Sequence, residues 1–130
     1  MAGHVQTNQT IQLPDAAYTV NAADTGKIFL VPTLTAAGRT FTLPAVAAGL
    51  RYRFINNPAA ATLVGPGIIS GGGTTVHGAL LNVTPVVVAK TGQASCRFLA
   101  ASVKGDYIDV MCDGTNWNVS GMSGVVGLGA

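Results

Sequence analysis

The chain has 130 residues, of which only 9% are charged and 48% are hydrophobic, and its formal net charge is +2 at pH 7. Soluble domains carry about 25% charged residues, so we expect much of the surface to be covered by further copies or by a partner. The seven Lys and Arg residues are scattered, which argues against a direct nucleic-acid partner because such an interface needs clustered cations.

The residue types favour strands over helices. All five acidic residues are Asp, Glu is absent, and there are 17 Gly. Glu and Lys are the side chains that normally stabilise exposed helices, and both are scarce here. The composition therefore predicts one almost wholly β domain.

Residues 1–10 contain no signal-peptide pattern, and no apolar run approaches the roughly 18 residues of a membrane span. We therefore expect synthesis in the cytoplasm and no membrane partner. Cys96 and Cys112 flank a turn near Lys104, so in a simple hairpin they would face each other. A cross-strand disulfide is then possible, but a cytosolic origin favours two buried thiols.

The first third of the chain begins with a polar arm, residues 1–13, whose alternating end at residues 10–13 could add a strand to a neighbour. Strands are predicted at residues 17–20, 27–31 and 39–43, and Pro32 and Pro44 end the last two. Residues 45–49 lie between Pro and Gly and are the one predicted helical turn.

Residues 50–56 form the next predicted strand. On a strand, Arg51 and Arg53 share one face while Tyr52 and Phe54 share the other. Two interpretations stay open for the basic pair: a solvated or interface face, and a specific anion contact.

Short strands punctuated by Gly and Pro continue at residues 60–64, 67–70, 74–81, 85–90 and 94–101. The three glycines at 71–73 predict a flexible loop; a phosphate cradle is disfavoured because no Lys-Ser/Thr pair follows. His77 has no acidic partner at metal spacing, so we expect a surface or hydrogen-bonded residue and no metal or cofactor.

The clearest hairpin signal lies at residues 105–121. Asp113 and Gly114 form a turn dipeptide, and both flanking arms alternate between apolar and polar residues. Trp117 is interpreted as a core plug, with ligand stacking as the alternative. The whole pattern predicts an antiparallel β-sandwich or jelly roll over residues 14–121, followed by a glycine-rich tail, residues 122–130.

An enzyme is not indicated. Asp24, Thr25 and Gly26 reproduce the Asp-Thr-Gly triplet of retroviral-type aspartic proteases, but the residues on either side do not match and a loop Asp is usually a turn former. No Ser-His-Asp order with an elbow motif and no oriented Cys-His pair occurs.

Four segments together resemble a β-module of tailed bacteriophages and related viruses, the family of capsid decoration (cement) proteins and tail-fibre domains. They are Ala-Asp-Thr-Gly-Lys at 23–27, Phe-Thr-Leu-Pro at 41–44, Ala-Gly-Leu-Arg-Tyr-Arg-Phe-Ile-Asn at 48–56 and Asp-Gly-Thr-Asn-Trp-Asn-Val at 113–119. The resemblance implies a trimeric or otherwise oligomeric β-sandwich in the virion, without catalysis or cofactor.

Within that family a tail-fibre module is usually one piece of a long chain, whereas this chain begins at Met and holds one domain. We therefore expect a decoration protein on the capsid surface, whose partners are the major capsid protein and copies of itself. The alternative is an appendage module that binds a receptor or glycan through Trp117, Tyr107 or Tyr52. The predicted assembly contacts are His4, Val5, Ile11, Arg51, Arg53, Val125, Val126 and Leu128.

Overall fold

Two β-sheets account for nearly all regular structure in the computed structural model, which describes residues 10–34, 39–57, 67–81, 87–98, 102–123 and 126–129. The predicted all-β sandwich is confirmed. The strands in the described residues are Thr10–Gln12 (β1), Tyr18–Thr19 (β2), Ile28–Val31 (β3), Arg39–Thr42 (β4), Arg51–Asn56 (β5), Gly67–Ser70 (β6), Val76–Leu81 (β7), Val87–Gln93 (β8), Ser95–Phe98 (β9), Tyr107–Cys112 (β10), Trp117–Ser123 (β11) and Val126–Gly129 (β12).

The chain alternates between the two sheets from β1 to β7. The seven-stranded sheet has the order β1-β3-β5-β10-β11-β7-β8, and the five-stranded sheet has the order β12-β9-β6-β4-β2. Strands β1, β3 and β5 run parallel to one another, as do β2, β4 and β6. The prediction of antiparallel pairing is wrong for this half, because a chain that crosses to the other sheet and returns enters its first sheet in the original direction.

The second half contains the antiparallel pairs. Strand β10 lies between β5 and β11, and β9 lies between β6 and β12, with antiparallel pairing on each side. The β10–β11 hairpin confirms the prediction for residues 105–121, with Cys112 opposite Trp117. Gly114 has φ of +102°, the left-handed conformation that the Asp-Gly turn requires.

The core between the sheets is built around aromatic rings. Trp117 is the largest fully buried side chain and is 0% exposed, which confirms it as a core residue. Its ring centroid lies 5.9 Å from that of Tyr52, and the rings of Phe29 and Phe54 stack at 5.3 Å. Because these four residues come from three strands of the seven-stranded sheet, β3, β5 and β11, the core joins strands that are distant in sequence.

Both chain ends contribute strands to the sheets. β1 pairs in parallel with β3, and Leu13 directly after it is 2% exposed. β12 pairs with β9, so Leu128 lies opposite Cys96 in register. Residues 10–12 and 126–129, which were assigned to the arm and the tail, thus lie in the two sheets. Residues 1–9, 124–125 and 130 lie outside the described residues.

The predictions for residues 45–49, 60–64 and 71–73 have different outcomes. No helix forms at residues 45–49; in the described ranges the one helical element is the 3-10 turn Ala22–Asp24, and none reaches the length and apolarity of a membrane span. The strand predicted at residues 60–64 lies outside the described residues. The loop at 71–73 is held by hydrogen bonds, including Gly71 N to Ala94 O at 3.0 Å, and a Cβ on Gly71 would meet the carbonyl oxygen of Thr74.

The two cysteines do not face each other across a hairpin. Cys96 lies on β9 of the five-stranded sheet and Cys112 on β10 of the seven-stranded sheet. Their sequence spacing suggested a simple hairpin, but the connection between β9 and β10 passes from one sheet to the other. Both are free, buried thiols, and burial raises the pKa of Cys96 to about 12.

We expect neither thiol to react with a disulfide reagent such as dithionitrobenzoate in the native protein at pH 8, because only an exposed thiolate attacks it. Both should react once guanidinium chloride unfolds the chain. Free cysteine under the same conditions gives the reference rate. A native thiol that reacts at that reference rate would contradict the burial described here.

Candidate functional site

Strand β5 presents its basic side chains on the outer face of the seven-stranded sheet. Arg51 and Arg53 are exposed, while Tyr52 and Phe54 are 2% and 0% exposed. The predicted two-faced strand is therefore confirmed. Because β5 lies inside the sheet, between β3 and β10, the basic face is flanked by side chains from both neighbours.

Arg53 is paired with a carboxylate across the sheet. The antiparallel register sets Asp109 opposite Arg53, and Nε and Nη2 of Arg53 donate to the two carboxylate oxygens of Asp109 at 2.7 and 2.8 Å. The guanidinium also lies 4.9 Å from the ring centroid of Tyr107. The hydrogen bonds from Asp109 raise the pKa of Arg53, and the two-pronged geometry holds its plane in one orientation.

A β-bulge interrupts the hairpin next to this ion pair. Asp109 pairs with Gly121, but the following residue, Val110, pairs with Val119. Ser120 is thus the extra residue on β11, and bulges of this kind redirect a side chain and twist the strand. Ser120 lines a cleft on the outer face of the sheet, and nothing in the alternating pattern of the hairpin predicted this position.

A cleft of about 240 Å³ opens at this point of the outer face. It is bordered by β5, β10, β11 and the turn that precedes β3. The lining residues are Gly26, Arg51, Tyr52, Arg53, Asp109, Val110 and Ser120. The cleft therefore contains Arg51 and Arg53, which the sequence predicted as assembly contacts. It also contains Asp109 and Ser120, which were not among the predicted contacts.

Arg51 is held by its backbone and has a free side chain. Its carbonyl oxygen accepts from Gly26 N at 2.7 Å, and its N–H donates to Thr25 Oγ1 at 3.0 Å. Among the described residues, its guanidinium has no hydrogen-bond or ion-pair partner. The cleft thus contains one cation, Arg53, that is neutralised by Asp109 and a second, Arg51, that is not.

Every carboxylate side chain of the protein has a partner within the chain. Three form ion pairs at 2.7 to 2.9 Å, and two accept hydrogen bonds from residues nearby in the chain. The pairs are Asp15–Arg39, Asp24–Lys27 and Asp109–Arg53; Asp106 accepts from Ser102 and Val103, and Asp113 from Thr115, Asn116 and Asn118. Hydrogen bonds from Asn116 and Thr115 lower the pKa of Asp113.

The other predicted assembly residues do not join the cleft. Ile11 lies on β1 and packs partly buried against the core. Val126 and Leu128 lie on β12 at the edge of the five-stranded sheet. His4, Val5 and Val125 lie outside the described residues.

Two of the three aromatic residues proposed to bind a receptor or glycan lie inside the core. Trp117 and Tyr52 are 0% and 2% exposed, and the hydroxyl of Tyr52 donates to Asn21 O at 3.1 Å. Tyr107 is partly exposed, and Arg53 covers its ring. Neither Trp117 nor Tyr52 can therefore stack on a sugar in this structure.

The described residues contain no group of three or more His, Cys, Asp or Glu side chains that could hold a metal ion. His77 lies with Nε2 3.3 Å from Thr75 Oγ1, in agreement with its interpretation as a hydrogen-bonded strand residue. No model of a known protein family matches this sequence, and no curated protein does either.

Proposed function

We propose that this protein is a non-enzymatic structural protein of a virus particle, a capsid decoration protein that binds the outer capsid lattice as an oligomer and stabilises the shell. The proposal draws its virion context from the resemblance of residues 23–27, 41–44, 48–56 and 113–119 to phage β-modules. The two-sheet fold is the architecture that this resemblance implies.

The observation that carries the proposal is the internal pairing of all five carboxylates in a chain with only 9% charged residues. Covering a free charge with another protein costs desolvation energy that its new contacts must offset. A surface without unpaired carboxylates therefore costs less to cover with neighbouring subunits than one that carries them. The protein is thus suited to extensive contact on more than one side.

The mechanism that follows is a clamp between coat subunits. Each copy contacts two or more neighbours, and an interface of standard size buries roughly 1,600 Å². Many copies on one shell strengthen the attachment, because a copy that is bound at one site is held close to its next site and binds there more readily. Separating coat subunits under internal genome pressure then requires breaking the clamp as well.

Burial of Trp117 and Tyr52 favours the capsid over the appendage alternative. A receptor- or glycan-binding module needs exposed aromatic rings beside polar groups. Two of the three rings that were candidates for this role belong to the core. We therefore propose the capsid lattice, with the major capsid protein and further copies of this chain as partners.

Particles that lack this protein should release their genome at a lower temperature than complete particles, by several degrees. A dye that fluoresces on binding nucleic acid, recorded during a temperature ramp, measures the release. Adding the purified protein back to the depleted particles should restore the higher temperature, and an unrelated β-sandwich protein is the control. Equal release temperatures with and without the protein would refute the proposal.

A further inference from the structure

The cleft on the outer face of the seven-stranded sheet has the size of a side-chain pocket. Its volume of about 240 Å³ is below the roughly 300–1,000 Å³ typical of pockets for small organic ligands. One side chain with a few ordered waters fills such a space. Its occupant is therefore better sought in a protruding residue of another protein than in a free cofactor.

The hydrogen-bonding groups of the cleft are mainly donors. An Arg side chain has five N–H donors; Arg53 uses Nε and Nη2 on Asp109, which leaves three, and Arg51 has all five unused among the described residues. The Ser120 hydroxyl adds another. With two Arg side chains and one Asp, the lining has a net charge of +1, so it favours an anion.

Part of the site is held in place before anything binds. The hydrogen bonds to Asp109 and the contact with Tyr107 fix the guanidinium of Arg53. The backbone of Arg51 is anchored on both sides by Thr25 and Gly26. Binding thus orders little beyond the Arg51 side chain, which keeps the entropic cost low.

The chain itself has no side-chain carboxylate to offer to this cleft. It contains five Asp and no Glu, and each Asp is engaged within its own chain. A second copy could offer the cleft only an Asp that already accepts hydrogen bonds from its own chain, and sharing that carboxylate weakens its attraction to the cleft. An exposed, unpaired acidic residue on a protein of different sequence is therefore the better occupant.

We infer that this cleft is a carboxylate-binding site, in which Arg51, Arg53 and Ser120 bind one Asp or Glu side chain of a partner protein. The identity of that partner as the coat subunit rests on the proposed function; the chemistry of the site does not. Arg51 provides the uncompensated charge and a planar fork that matches a carboxylate. Arg53 and Ser120 provide further donors from the lining of the same cleft.

The test is a titration of the isotope-labelled protein, followed by nuclear magnetic resonance, with a blocked peptide of four Glu residues. Backbone amides of Gly26 and Ser120 and the Arg51 Nε signal should shift saturably, and less at high salt because the ions screen the charges. The Arg51→Met variant should bind at least tenfold more weakly. Lys104→Met removes one exposed positive charge outside the cleft and should bind like the parent protein.

Equal shifts with the corresponding four-Gln peptide, or an unchanged affinity in Arg51→Met, would overturn the inference. Shifts at the cleft with N-acetylglucosamine and none with the Glu peptide would overturn it in favour of a glycan. The proposed function is judged separately by the particle experiment. If the Glu peptide binds while particle attachment is unaffected by Arg51→Met, the carboxylate site stands and its assignment to the coat subunit falls.

Discussion

Replacing Trp117 with Ala is expected to lower the free energy of unfolding by about 3–5 kcal/mol, the range measured for truncating large buried aromatic residues. Trp117 is fully buried between the sheets, beside Tyr52 and opposite Cys112 and Val76 in register. The surrounding strands are held by their ladders and cannot collapse into the space. Denaturation in urea, followed by circular dichroism, measures the loss.

Trp117→Phe is the matched variant. The indole N–H of Trp117 is buried without a hydrogen-bond partner, and an unsatisfied buried donor costs about 1–3 kcal/mol. Phe removes that donor while keeping a ring, so this variant should lose much less stability than Trp117→Ala. Loss of less than about 1 kcal/mol in Trp117→Ala would be too small for a core residue and would contradict the placement of the ring.

Replacing Asp106 with Ala is expected to lower the free energy of unfolding by about 2–4 kcal/mol. Asp106 is 8% exposed, and its Oδ2 accepts from Ser102 Oγ at 2.8 Å and Val103 N at 3.0 Å. Ser102 in turn accepts from Asn56 Nδ2 at 3.1 Å. Removing the carboxylate leaves the buried Ser102 hydroxyl and the part-buried Val103 N without that acceptor, next to the turn that leads into β10.

Ser102→Ala tests the same network with a smaller change. It removes one hydroxyl, while Asp106 keeps the hydrogen bond from Val103 N and Asn56 Nδ2 keeps Val103 O at 3.1 Å. We expect a loss of about 1 kcal/mol. Urea denaturation of both variants gives the comparison, and a cost for Asp106→Ala no greater than that for Ser102→Ala would show that the carboxylate is not the centre of the network.

The faces of individual strands could be predicted from sequence because they follow a local rule. Successive side chains of a strand point to opposite sides. The alternation of apolar and polar residues around Arg51 and Tyr52, and along the β10–β11 hairpin, was therefore sufficient to predict which side chains face the core. The turn at Asp113 and Gly114 has a local signal of the same kind. It is longer than the dipeptide, because Asp113 Oδ1 accepts from Thr115 N and Asn116 N at 2.9 and 2.8 Å.

The candidate site could be predicted only in part. The pair Arg51 and Arg53 lies on one strand, so its shared face was visible in the sequence. Asp109 is 56 residues from Arg53, and only the register between β5 and β10 sets them opposite each other. Ser120 lines the cleft because it is the extra residue of a β-bulge. The bulge shifts the pairing of β10 and β11 by one residue without any change in the apolar pattern of the sequence.

The sequence by itself determined that this protein is a β-sandwich with a buried Trp117 and an outward basic strand, since alternation and turn residues act between near neighbours. Tertiary structure decided which strands are neighbours and in which direction they run. Cys96 and Cys112 show the difference: both are buried, as their sequence context suggested, yet they belong to different sheets. A period of two specifies the face of a side chain, whereas sheet order depends on contacts between residues far apart in the chain.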